Sequence, residues 1–290
     1  MESELERRER EHREDLARLR GLRPIDDDFM RCIFKDNIPL AQRTLRIITE
    51  KDDLVITSVE TQKDMKRLVG ARSICLDAYG RDSQGKLYDL EIQRADKGAG
   101  VYRARYHSSA MDVENLNAGQ SFDELPETYT IFITEHDLKK KGLPFYHVER
   151  VYTETDELFG DGEHIIYVNG EYRGDSDIGK LMHDFCCWDP NQMLLSEFRD
   201  VTRYYKETEK GVSTMCEVME DMRNTAWNEG KIEGKIEGKI EGRIEGRIEG
   251  IKENAVETAK NLINMGLLTF EQISQATKLP VEIVKELAGA

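Results

Sequence analysis

Residues 74–93, ICLDAYGRDSQGKLYDLEIQ, restrict this chain more than any other segment. Two runs of strand composition flank GRDSQG, a polar loop with glycine at both ends. That arrangement predicts an antiparallel hairpin over 71–79 and 86–94. Strand side chains alternate between faces. The second strand therefore sets Leu87, Asp89, Glu91 and Gln93 on one face and Tyr88, Leu90 and Ile92 on the other. In the first strand Asp77 shares a face with Ser73 and Cys75, while Ile74, Leu76 and Ala78 point the other way. One face of the hairpin is ready for a core. The other gathers carboxylates and an amide with no histidine among them, a hard oxygen set suited to Mg²⁺ or Mn²⁺. The same pattern also suits the solvated face of an antiparallel sheet, where acidic residues are ordinary.

Composition narrows the classes. The 290 residues are 39% apolar, enough for a real core, and the formal net charge is −15. Such a charge opposes non-specific nucleic-acid binding by the whole molecule, so any nucleic-acid function has to act through a local patch, with a divalent metal. No run approaches the ~18–20 apolar residues of a membrane span. The start, MESELERRER, has no apolar core of a signal peptide. Five cysteines without CxxC spacing, two of them adjacent, argue for reduced thiols in a cytoplasmic protein. The absence of GxxxxGK[ST], HExxH and GxSxG sets aside NTPase, zincin and serine hydrolase chemistry.

Along the chain, residues 1–20 read as a solvated, charged helix. Asp26, Asp27 and Asp28 lead into a helical pattern reaching about residue 50, and acidic side chains there suit the positive pole of a helix N-terminus. Strand signals come next at 54–59 and in the hairpin. A helix is expected over about 100–118, and strands at 129–134 (a central one), 146–152 and 164–169. Beyond 178 the pattern is helical throughout. Residues 21–210 thus form an α/β domain. Residues 211–250 are helical and include the repeat EGKIEGKIEGKIEGRIEGRIEG. There, like charges recur at i,i+4 and a glycine recurs every turn, so an isolated helix is weak. Ile every fourth residue beside a small residue offers a self-association surface, which predicts a dimer through this segment. A flexible tether is the alternative. Residues 251–290 form a small helical unit, with Gly266 stopping one helix, Thr269 and Gln272 boxing the next, and Pro280 near the start of the last. His183, Cys186 and Cys187 read as helix packing, and Trp188 and Trp227 as core or interface residues.

Four segments in order carry a resemblance: DDDFMRCIF, LDAYGRDSQGKLYDLEIQ, YRARYHSSAM and LPETYTIFIT. With Asp77 and then Glu91-Ile92-Gln93, the chain resembles the PD-(D/E)XK nuclease superfamily, with Gln where Lys is usual. More closely, it resembles the recombination-promoting nuclease and transposase (Rpn) family, over most of residues 21–210. The resemblance implies a restriction-endonuclease-like core and a metal-dependent DNA endonuclease. Asp77 and Glu91 then match the metal-ligand carboxylates and the Ile92 carbonyl a third ligand for Mg²⁺ or Mn²⁺. Gln93 would position water without supplying a cation. Leu76 stands where the motif has proline, which does not touch the chemistry. Asp26, Asp27 and Asp28 are candidates for a further acidic ligand, with helix capping the favoured role. Arg94, Lys97, Arg103 and Arg105 are candidate DNA-binding cations, and Tyr106 reads as a core or supporting residue. The competing reading is an oligomerising interaction protein on a nuclease fold that cuts weakly. A DNA-binding regulator using the C-terminal unit is disfavoured because that unit has no basic face.

Overall fold

The computed structural model describes residues 4–65, 74–94 and 96–289. The chain divides into two compact units, Met1–Glu220 and Asp221–Ala290. In the first, α1 (Glu4–Gly21), α2 (Asp27–Phe34) and α3 (Ile38–Thr49) precede β1 (Ile56–Asp64), β2 (Cys75–Asp82) and β3 (Leu87–Gln93). Then come α4 (Val101–Asn115), β4 (Thr128–Thr134), β5 (Phe145–Val148), β6 (Glu163–Asn169), α5 (Asp177–Cys186) and α6 (Ser196–Glu207).

Six strands form one sheet in the order β1-β2-β3-β4-β6-β5. β3 and β4, and β4 and β6, pair in parallel, and the remaining pairs are antiparallel. This mixed sheet with flanking helices is the expected α/β architecture. The hairpin forms as the sequence predicts, and Asp82 closes its turn. The Asp82 Oδ1 accepts from the backbone N–H of Gln84 and of Lys86, both at 2.9 Å, and Gly85 takes the left-handed conformation the turn requires. Residues 71–73 of the expected first strand lie outside the described residues.

The alternation on β3 decides the layers. Tyr88, Leu90 and Ile92 enter the main core with Ile131 and Ile133 of β4, under Phe29 and Phe34 of α2, Ile48 of α3 and Phe185 of α5. Fully burying each such side chain stabilises the fold by about 1.5–3 kcal/mol. The opposite face is not solvated, which corrects the wet-sheet alternative. Helix α4 covers it, setting Met111 against Leu87 and Leu76, and Ala104 against Phe132 and Tyr167. β3 and β4 are therefore buried on both faces, as strands in parallel pairing usually are.

Several boundaries differ from expectation. The helix expected to run to residue 50 breaks between α2 and α3, where Asp36 is left-handed and Asn37 caps α3 by accepting from Leu40 N–H. β1 lies further along than 54–59. The chain after 178 is interrupted at 187–195, where buried Asp184 accepts from the N–H groups of Leu194 and Leu195 (2.8 and 2.7 Å) and orients the start of α6. The Lys206 ammonium ties α6 to the α1–α2 connection, donating to the carbonyls of Arg20, Leu22 and Trp188. Trp188 and Trp227 are both exposed in this chain, not in a core.

Helix α7 (Glu209–Met265) runs through the repeat as one helix. Its glycines line the face opposite the isoleucines, since two residues along a helix is about 200°, and nothing lies within 4 Å of where their Cβ atoms would be. The small residue thus sits behind the isoleucine, not beside it as expected. Gly266 ends α7 in the left-handed conformation. The capping box opens α8 (Phe270–Thr277) as expected, and α9 (Val281–Ala288) comes after it with Pro280 at its N-cap. Ala259, Ile273 and Val284 form the core of this second unit.

Candidate metal centre

The antiparallel register of β2 and β3 pairs Ala78 with Leu90, and one step further it sets Asp77 opposite Glu91. The backbone then binds the two side chains. Glu91 Oε1 accepts from the Asp77 N–H at 3.0 Å, and Asp77 Oδ2 accepts from the Ile92 N–H at 3.2 Å. Gln93 lies at the end of β3, where its amide donates to Glu91 Oε2 at 3.4 Å. The structure therefore brings Asp77, Glu91, Ile92 and Gln93 into one place.

Asp89, two residues before Glu91, joins them. Asp89, Glu91 and His107 of α4 can each bring a ligand atom within 4.8 Å of the others, and all three are buried. Asp89 Oδ2 lies 3.0 Å from His107 Nδ1, and His107 Nε2 lies 3.2 Å from Arg103 Nε. An arginine N–H only donates, so Nε2 accepts and the proton sits on Nδ1, pointing at Asp89. Arg103 then reaches across the site. Its Nη2 donates to Glu91 Oε2 at 2.8 Å and its Nη1 to Gln93 Oε1 at 3.4 Å. The sequence placed no histidine here, and the structure corrects that.

Burial sets the electrostatics. It raises the Glu91 carboxyl to about 9, reinforced by Asp89 and Asp77. Burial and then Asp77 hold Asp89 well above the ordinary carboxylate range. Asp77 is raised by burial too, and next by Asp27 of α2, while Arg31 and Arg103 oppose the rise. His107 is lowered by burial, which keeps it neutral. Three carboxyls crowd a dry pocket, and one oxygen, Asp89 Oδ1, is buried without a donor, its nearest relief a proton shared with Glu91. Hard oxygens in that state fit a divalent cation.

The other expected residues divide. Asp26 is not a side-chain cap of α2; its carboxylate binds the Arg23 N–H at 2.7 Å and the guanidinium of Arg94 at 3.0 Å. Asp28 pairs with Arg18. Asp27 is the member of that trio whose charge raises Asp77. Of the expected DNA-binding cations, Arg103 enters the site. Arg94 is half-exposed and paired with Asp26 and Glu135. Arg105 lies over the Tyr102 ring on the far side of α4, and the side chain of Lys97 lies outside the described residues. Tyr106 is exposed and not a core residue. Gln62 was not foreseen: it adopts a positive φ of 58° and reaches Asp77 Oδ1 at 3.5 Å. A non-glycine residue held there is a strained position of the kind found at functional sites.

A model of the PD-(D/E)XK nuclease family transposases matches residues 41–225, spanning β2, β3, α4 and the whole sheet. The chain belongs to this family. No curated protein and no solved structure matches it. Nucleases of this family use divalent metals, and family membership implies a DNA substrate. No helix among the described residues is long and apolar enough to cross a membrane.

Proposed function

We propose that the chain is a metal-dependent DNA endonuclease of the Rpn type, hydrolysing phosphodiester bonds at the β2–β3 hairpin. The observation that carries this reading is the buried pairing of Asp77 with Glu91 beside an orphaned Asp89 oxygen, inside the family-matched segment. Asp77, Glu91 and the Ile92 carbonyl would hold Mg²⁺ or Mn²⁺. Bound there, the ion neutralises the phosphate, lowers the pKa of its water and supports the leaving 3′ oxygen. Gln93 orients the attacking water through its amide. It brings no positive charge, so Arg103 supplies the nearest side-chain cation. Asp89 fixes the His107 tautomer, and His107 steadies the Arg103 guanidinium at its Nε. Asp27, facing Asp77 from α2, is the candidate for a further acidic ligand.

The test is nicking of supercoiled plasmid by the purified full chain with Mg²⁺ or Mn²⁺. Cutting that stops with EDTA and is lost in Asp77→Ala and Glu91→Ala supports the assignment. Undiminished cutting by either folded variant overturns it.

A further inference from the structure

Helix α7 carries an apolar stripe with nothing on it. Ile240, Ile244, Ile248 and Ile251 are 54%, 55%, 62% and 63% exposed. A strict period of four would rotate this stripe by about 40° each repeat and carry it off any straight seam. The repeat does not stay strict. After Gly250 one residue is missing from the period, and Ile251 follows Ile248 at a spacing of three. At about 100° per residue, Ile240, Ile244, Ile248, Ile251 and Ala255 fall within an arc of about 80°. That is a seam a straight helix can present along about 22 Å.

The charges beside the seam sort by sign. Measured from its centre, Arg243 and Arg247 lie about 100° and 60° to one side, and Glu241 and Glu245 about 60° and 100° to the other. Lys252 falls on the acidic side and breaks the pattern at its end. A helix with one basic and one acidic flank discriminates between orientations. When two copies pair in parallel, a two-fold along the helices sets the basic flank of each against the acidic flank of the other. When they pair antiparallel, basic meets basic and acidic meets acidic. Opposite charges across a helix seam set orientation in this way, and like charges reject it.

We propose that residues 240–255 of α7 dock in parallel on the same residues of a second copy of this chain. The occupant is a second copy because the flanks complement themselves and the apolar arc is the same on both partners. This inference stands apart from the nuclease reading and needs no cutting activity.

The experiment uses the full chain. Light scattering at micromolar concentration should give twice the 33.5 kDa of one chain. Replacing Ile244→Glu and Ile248→Glu together should return it to the mass of one chain. Orientation is read with Ile240→Cys under mild oxidation, followed by peptide mass spectrometry. Parallel pairing links residue 240 to residue 240 of the other copy. Antiparallel pairing about the same seam sets 240 opposite 255, about 22 Å from its counterpart, and gives no such link. Added salt should weaken the parallel pair, because it screens attraction. A single-chain mass for the unaltered protein, or a glutamate variant that stays assembled, overturns the proposal. So does an assembled cysteine variant without the 240–240 link, or an assembly that salt strengthens.

Discussion

Raising the pH loosens the cation-free protein, and the acidic cluster sets how steeply. Glu91 holds its proton to about 9 in the fold, against 4.5 in a free side chain. Between those values the folded chain keeps a proton the unfolded chain has lost. The stability this contributes is complete below pH 4.5 and is lost as the pH climbs toward 9. Each unit inside that window removes about 1.4 kcal/mol per group. Two other groups work in the opposite sense. His107 is lowered by burial, so its contribution rises with pH only up to 6.5, and Lys206, lowered to about 8, contributes a rise only above that value. From pH 6.5 to 8 both are quiet, and Glu91 takes away about 2 kcal/mol. Asp89 adds to the loss in the same direction. Urea denaturation in EDTA, tracked by Trp188 fluorescence in a Trp227→Phe background, measures this. Glu91→Gln should reduce the slope by about 1.4 kcal/mol per pH unit, and saturating Mn²⁺ should flatten it in the parent protein by holding the carboxylates ionised. A stability that stays level or rises from pH 6.5 to 8 would refute the reasoning, as would a Glu91→Gln slope equal to the parent's.

Particular contacts give three further outcomes. Arg103→Met should weaken binding of duplex DNA and lower its salt dependence by about 0.9 in log–log slope, measured by fluorescence anisotropy across a salt series; Arg105→Met, on the far side of α4, should change the slope less. Asp184→Ala leaves the N–H groups of Leu194 and Leu195 without their buried acceptor and should cost about 2–4 kcal/mol in urea denaturation. Gly170→Ala should be at least as damaging, because its Cβ would lie 2.2 Å from the Thr134 carbonyl oxygen at the end of β4, and thermal melting should show it.

The hairpin and its two faces were legible because alternation is a local property: Leu87, Asp89 and Glu91 must share a side whatever covers it. The cover over that side was not legible. A strand with acid on one face reads as solvated until α4 is known to lie there, and the period of α4 gave no sign of it, since Ala104, His107 and Met111 make a narrow and partly polar inner face. The pairing of Asp89 with His107 joins residues 18 apart on different elements. The one local hint was Arg103 and His107 at a helical spacing of four. The role of Asp27 was obscured by its neighbours, because three consecutive aspartates all suit a helix start, and only the packing of α2 on the sheet separates them. Gln62 had no signal, since a left-handed glutamine in a strand arises from the pairing around it and not from its own preference.

The tetrapeptide of α7 has a consequence for inheritance. A tract of near-identical codons is prone to gain or lose whole units when DNA is copied. Each added unit lengthens the helix by about 6 Å and turns the residues beyond it by only about 40°, so each flank passes into the new segment with its sign intact. A shift of one residue instead turns the downstream helix by about 100° and lays acid where base had been. Length can therefore drift between lineages by whole units while the sign of each flank is kept, and chains of unequal repeat number still match one another edge for edge.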